Sequence, residues 1–331
     1  MKRTMRRLLA AAACVSVVSS AALAADVELK ASHQWNTKDV RHKMVQIIAD
    51  EVAKAGVGVS VKVYPAKSLF KPKEQWAPLT KGRLDISAFP LAYAASRHPE
   101  FDATLMPGLV KNHDHAKRLN DSDFMADIKK IINDAGVVVL SDAWLAGGFA
   151  SKKKCIKAPD DIKGQVSRAA GKAFERMLTG AGASIASMPS SEIYTAMQTG
   201  VLDAANTSSG SFVSYRIYEQ VKCYTPAGDF ALWFMYQPLL MNKSAYDRLD
   251  DKQKAALDAA AAKAEAYYLE EAKKQDAASI EVFEKAGVEI KNMTPEEFNQ
   301  WRDIAKASSY KNFVENVPGG QELLDMALSV E

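Results

Sequence analysis

The sequence predicts an α/β protein of two lobes, each built on a mostly parallel sheet, with strands passing between the lobes as a hinge. Three observations carry this reading. Strand-like and helix-like segments alternate over most of residues 27–224, the order that right-handed crossovers and parallel pairing demand. The length of 331 residues, with 48% hydrophobic and 25% charged side chains, is that of about two globular domains, each with its own core. No low-complexity linker divides the chain, so two sheets must be joined by strands that cross more than once.

Residues 27–31 read as a short strand. A helix over 39–55 follows, with Val40, Met44, Ile47, Ile48 and Val52 on one face. Gly56 ends it, and Val57, Val59, Val61 and Val63 alternate as a strand into Tyr64-Pro65. A helix over 73–81 stops at Gly82 ahead of a strand over 84–89, and a helix over 123–133 leads through Gly136 to a strand over 137–140. The second set of units begins near Phe149, with strands at 150–156, 164–168, 184–187, 201–205 and 220–224. Helices fit 172–179 and 191–199, the latter stopped by Gly200. Residues 232–241 form a long apolar run, and 250–285 contain no Pro and no Gly. As one helix that stretch spans about 54 Å, more than one small domain, so it either breaks or crosses both lobes. Thr294-Pro295-Glu296-Glu297 is a capping box with Pro at its first helical position.

The N-terminus stands apart from this pattern. Lys2, Arg3, Arg6 and Arg7 precede an apolar stretch over 8–18, and Ala22-Leu23-Ala24 supplies a small-x-small cleavage signal before Asp26. This is the pattern of a secretory signal peptide cut after Ala24 or Ala25. Arg6-Arg7 lacks the rest of a twin-arginine signal, and Cys14 lacks the context of a lipidated cysteine. Cleavage takes 43 Lys+Arg to 39 against 40 Asp+Glu, a net charge near −1. No basic block remains to point to nucleic acid or a membrane surface. Cys155 and Cys223 survive cleavage; an oxidising compartment permits a disulfide between them, and spacing alone leaves open whether they meet.

Catalytic patterns fail one by one. Ser151-Lys152-Lys153-Lys154 satisfies S-x-x-K without its partner motifs and reads as a solvated charge run. Gly180-Ala181-Gly182 has Ile185 where a dinucleotide fingerprint needs its third glycine, and reads as a helix end. His113-Asp114-His115 has no further Cys or His nearby and reads as a loop or helix start. No nucleophile, base and orienter assemble, and no cofactor or metal is called for.

Arg168 is different. It ends a predicted strand just before Ala169-Ala170-Gly171 and a helix, and ligands of parallel sheets bind outside the carboxyl ends of strands. A guanidinium there can hold a carboxylate with two parallel hydrogen bonds, or it can pair with an internal acid. The surrounding run, DDIKGQVSRAAGKAFERMLTGAGASIASMPSSEIYTAMQTGVLDAAN over 160–206, resembles the solute receptors of TRAP transporters. Their characteristic run is a D-x-K-G-x-x-x-R strand, then S-E-x-Y-x-A-x-Q-T-G-x-x-D and a following Asn. The resemblance extends from about Val27 to the C-terminus and includes Tyr64-Pro65-Ala66 and Gly82-Arg83-Leu84-Asp85.

The resemblance implies a two-lobed periplasmic binding protein of the flytrap type, with hinge strands and a long helix crossing the lobes. It would bind a small organic carboxylate and deliver it to integral-membrane subunits driven by an ion gradient, without enzymatic activity. The implied division is 26–145 plus 231–270 for lobe 1, and 146–230 plus 271–331 for lobe 2. Arg168 would bind the carboxylate, supported by Asn206. Many members carry a second arginine before the second-lobe strand, where this chain reads Ala143-Trp144-Leu145-Ala146-Gly147-Gly148-Phe149. Gln34, Trp35, Phe89, Tyr93, Trp144, Phe149, Trp233 and Tyr236 fall in stretches that such receptors use to line the cleft, with Phe89, Tyr93, Trp144 and Trp233 foremost. One guanidinium among aromatic walls leans toward a monocarboxylate with an apolar or aromatic body. The alternatives are a C4-dicarboxylate or 2-oxo acid receptor of the same transporter class and, from another class, a secreted hydrolase.

Overall fold

The structure, a computed structural model, describes residues 27–331; the signal-peptide features lie outside the described residues. The chain runs β1 (Val27–Ser32), α1 (Val40–Ala55), β2 (Val59–Tyr64), α2 (Trp76–Thr80), β3 (Ile86–Ala88), α3 (His113–Leu119), α4 (Asp123–Asp134) and β4 (Val137–Ser141). There follow β5 (Trp144–Ser151), β6 (Val166–Ala169), α5 (Lys172–Gly180), β7 (Ser184–Ser187), α6 (Ile193–Gln198), β8 (Ala204–Ser208), α7 (Ser209–Ser214) and β9 (Cys223–Thr225). The remainder is β10 (Trp233–Tyr236), β11 (Leu239–Asn242), α8 (Lys243–Asp247), α9 (Asp251–Lys285), β12 (Glu289–Ile290), α10 (Pro295–Ala305), α11 (Lys311–Asn316) and α12 (Gly320–Leu328).

Two sheets result, one ordered β2-β1-β3-β11-β4, the other β12-β9-β5-β8-β6-β7 with β10 beside β5. The crossover units pair in parallel as their order predicts. Every antiparallel pairing among the described strands involves β5, β10 or β11. These belong to the two chain passages between the sheets: β4 runs on into β5, and β10 into β11. The sheets are therefore mixed, and the mixing comes from the hinge.

Local chemistry explains most boundaries. Asp39 caps α1 by accepting from the Arg41 N–H, and Gly56 closes it in the left-handed conformation at φ 63°. Met44, Ile48 and Val52 of the expected face are buried. The largest departure is β5, which starts at Trp144 and not near residue 150. Gly147-Gly148 lies inside the strand. A Cβ at Gly147 would collide with the Thr207 carbonyl, and one at Gly148 with that of Thr225, so glycine lets three strands close up.

The apolar run at 232–241 supplies β10 and β11, whose residues are buried throughout. Between β4 and β5, Asp142 receives a hydroxyl bond from Tyr236 and pairs with Lys129 at 2.6 Å, while its backbone N–H donates to Glu265 of α9 at 2.7 Å. Helix α9 is unbroken over 35 residues, about 52 Å. It packs on α1 and β4 at one sheet and on α7, β5 and β12 at the other, so it crosses both lobes. Beyond it, α10 packs on α5, and α12 on α4.

Cys155 and Cys223 form a disulfide, with Cα atoms 5.1 Å apart. It ties the end of β5's connection to β9 across 68 residues of sequence. Loop-closure entropy for that length corresponds to about 4 kcal/mol at most. Replacing both cysteines with serine is expected to lower the urea unfolding free energy by about 2–4 kcal/mol. A loss below about 0.5 kcal/mol would show the bridge to be energetically idle.

Candidate functional site

Arg168 lies near the carboxyl end of β6, in register with Ala186 of β7 and Ala205 of β8. Beyond it Gly171 opens α5, where a Cβ would press to 3.2 Å from Leu105 and 3.3 Å from Ala92. The strand tip therefore faces segments packed on the other sheet. The Arg168 side chain is 1% exposed. Its Nε donates to the Met188 carbonyl at 3.0 Å, Nη1 to the Asn206 carbonyl at 2.7 Å, and Nη2 to the Tyr93 hydroxyl at 3.2 Å. All three acceptors are neutral, and no carboxylate among the described residues lies within ion-pairing distance. Burial pushes its pKa down, opposed by Tyr93, but a guanidinium stays charged. Two of its five N–H groups remain uncommitted.

The neighbours hold this cation in place. Asn206 returns a bond from Nδ2 to the Arg168 carbonyl at 3.0 Å, so the two residues are laced across adjacent strands. Its Oδ1 is buried without a partner. Tyr93 stands in a 3-10 turn over Leu91–Ala94, its ring edge-on to Phe89 at 6.2 Å. Its hydroxyl also accepts from the Ser190 N–H at 3.2 Å, which makes it a direct contact between the lobes.

A second buried arginine, Arg41, is chemically opposite. Asp39 accepts from its Nε at 2.7 Å and from its Nη2 at 2.6 Å, while Nη1 reaches Ser208 and Ser211 at 3.2 and 3.0 Å. Its guanidinium lies 4.4 Å from the Trp35 ring centroid. Being neutralised, it offers no free positive charge. Nearby, Tyr215 donates to the Gln34 carbonyl at 3.2 Å, and Asn36 to the Ser214 carbonyl at 2.9 Å. The segment around residues 34–41 is thus stitched to α7 and its end.

The expected residues divide accordingly. Arg168, Asn206 and Tyr93 are in mutual contact, with Phe89 behind Tyr93 and stacked on Trp76 at 5.9 Å. Gln34, Trp35 and Trp233 are buried, with Gln34 Oε1 and both indole N–H groups unpartnered. Such atoms call for water or a ligand. Three aromatics are engaged elsewhere. Trp144 donates to Asn120 at 2.8 Å and packs on Tyr236, which is bonded to Asp142 at the hinge. Phe149 stacks on Trp301 of α10 at 5.5 Å. A cavity of about 650 Å³ lies away from Arg168, between β4 and α9 with Leu140, Tyr246, Asp258 and Glu265 among its walls.

Sequence reasoning missed Arg41 and Tyr215. The Asp39-x-Arg41 spacing at a helix start was a usable signal for the first, since a capping carboxylate there meets the side chain two residues on. Tyr215 carried no signal, because its partner lies 181 positions away.

The sequence pattern of bacterial extracellular solute-binding protein family 7 matches residues 31–316. A solute-binding protein of Albidiferax ferrireducens is 35% identical, over 98% of this chain and 98% of its own. A crystallised TRAP periplasmic solute-binding protein from Rhodoferax ferrireducens, with bound malonate, superimposes at a TM-score of 0.88 with 37% identity, covering 91% of this chain and 98% of that one. An extracytoplasmic solute receptor of Bordetella pertussis that binds pyroglutamic acid superimposes at 0.83 with 22% identity, covering 91% and 99%; that likeness is one of fold.

The two arginines make a contrast that denaturation can read. Arg41→Met strands the buried Asp39 carboxylate and is expected to cost about 3–5 kcal/mol. Arg168→Met removes a desolvated charge with no counterion and orphans three neutral acceptors, opposing effects that should leave ligand-free stability within about 1 kcal/mol. Equal losses in the two variants would contradict the assignment of Arg168 as unpaired.

Proposed function

The chain belongs to bacterial extracellular solute-binding protein family 7, and from that membership we propose that its mature form is the periplasmic receptor of an ion-gradient-driven TRAP transporter. It takes up a small organic carboxylate between its lobes and presents it to integral-membrane subunits. It binds its solute without transforming it. One observation carries the reading: a fully buried guanidinium stands at the seam between the lobes, held by neutral oxygens alone and with two N–H groups to spare.

That arrangement suits one carboxylate of the solute. A charge removed from water without a counterion is unfavourable, and an anion that enters the seam relieves it through charge-assisted bonds of about 1.5–3 kcal/mol each. Because Tyr93 reaches Arg168 from the first lobe, the anion gains its full set of partners only when the lobes meet. Closure then follows from differential affinity. The malonate and pyroglutamic acid held by the two crystallised relatives are both carboxylates. The lean toward an aromatic body has less support, since Trp144, Tyr236 and Phe149 are packed elsewhere.

Calorimetric titration of the mature protein with malonate, succinate, pyroglutamate, 2-oxo acids and aromatic acids tests this. At least one is expected to bind and be recovered chemically unchanged. Arg168→Ala should weaken that solute well over tenfold, and Arg168→Lys should also fail, because an ammonium lacks the planar fork. Undiminished affinity in Arg168→Ala would remove the residue from its role.

A further inference from the structure

Lys73 follows Pro72 in a 3-10 turn over Pro72–Glu74 attached to the first lobe, and it reaches across the seam. Its Nζ donates to the Ser187 hydroxyl at the end of β7 at 3.0 Å and lies 5.7 Å from the centroid of the Tyr93 ring. Tyr93 is the residue that touches Arg168. No carboxylate among the described residues is ion-paired with Lys73. The residue as a whole is exposed, but partial desolvation of its ammonium lowers its pKa, Tyr93 and Glu175 oppose this, and the Arg168 charge lowers it further, so the two cations feel each other.

A charge balance of this seam singles out the same pair. Arg41 is matched by Asp39, Arg176 by Asp102 at 3.4 Å, and Lys172 by Glu175 at 2.8 Å. Glu175 also bonds to Ser187 and acts on Lys73 through space without forming an ion pair with it. Arg168 and Lys73 are left, one from each lobe, and both lack a partner carboxylate. Two cations without an ion-pair partner thus flank one tyrosine, Arg168 buried and Lys73 exposed at the mouth of the seam, with room electrostatically for a second negative charge.

We propose that Lys73 is a specificity-determining residue, and that it receives the second anionic group of a doubly charged solute whose first carboxylate lies on Arg168. The arginine missing before β5 is thereby replaced by a lysine from the opposite lobe. A dianion bridges the lobes through both ends, whereas a monoanion leaves Lys73 on Ser187 alone. The inference rests on carboxylate capture by Arg168.

Matched acid and half-amide pairs test it, because succinate and succinamate, or malonate and malonamate, differ in one charge at nearly constant shape. Titration calorimetry of the wild-type chain should show the diacid bound at least tenfold more tightly. Lys73→Met should bring that ratio near unity while changing half-amide affinity less than threefold, and Lys73→Arg should keep the preference. Equal weakening of both members by Lys73→Met would make Lys73 a lobe latch only and overturn the proposal. So would a wild-type chain that binds neither member or does not prefer the diacid. Arg168→Ala is the separate arm. Loss of both members keeps the carboxylate reading, and retained binding removes that reading whatever Lys73→Met does.

Discussion

A positive charge buried between two lobes without a negative one is the constraint from which the rest of this protein can be understood. The Arg168 guanidinium is out of water, yet its acceptors are two backbone carbonyls and a tyrosine hydroxyl. An internal acid would have satisfied it more fully and left nothing for a guest. The fold instead spends its rigidity on holding the group still, with Asn206 laced to it from the next strand. A few steps away Arg41 shows the other solution, a bidentate pair with Asp39 that ends the electrostatic demand locally. One arginine organises structure, and the other stays available.

The groups around that guanidinium come from both sheets. Arg168 belongs to the sheet containing β6, while Tyr93 and Lys73 come from segments attached to the other. The sheets are linked by β4 running into β5 and β10 into β11, with α9 lying against both. Asp142 marks the first crossing and is fixed by Lys129, Tyr236 and Glu265. Trp144 and Tyr236 pack on each other beside this crossing, Tyr236 bonded to Asp142 and Trp144 to Asn120.

Much of this was legible in the sequence where the governing contacts are local. The ends at Gly56 and Thr294, the face of α1 and a Pro- and Gly-free stretch long enough for α9 follow from spacing within a few residues. Arg168 and Asn206 stood out through an ordered motif. What spacing could not convey was juxtaposition. Residues 144–149 do not read as strand in sequence, because the need for Gly147-Gly148 there comes from Thr207 and Thr225 on neighbouring strands. Aromatic residues near the cleft look alike in sequence, yet Phe149 stacks into the core of its lobe and Tyr93 reaches the guanidinium. Tyr215 and Lys73 acquire meaning only when segments more than 110 positions apart are brought together.

The passage of the chain between the sheets also governs when folding can finish. In the first sheet β11 sits between β3 and β4, so the interior of that sheet stays open until residue 242 has joined it. The second sheet waits longer, for β12 at Glu289–Ile290 to pair with β9. Neither half can mature on a partly emerged polypeptide. Both sheets therefore depend on pairings made by the last third of the chain, and the order of synthesis is not the order in which their interiors can close.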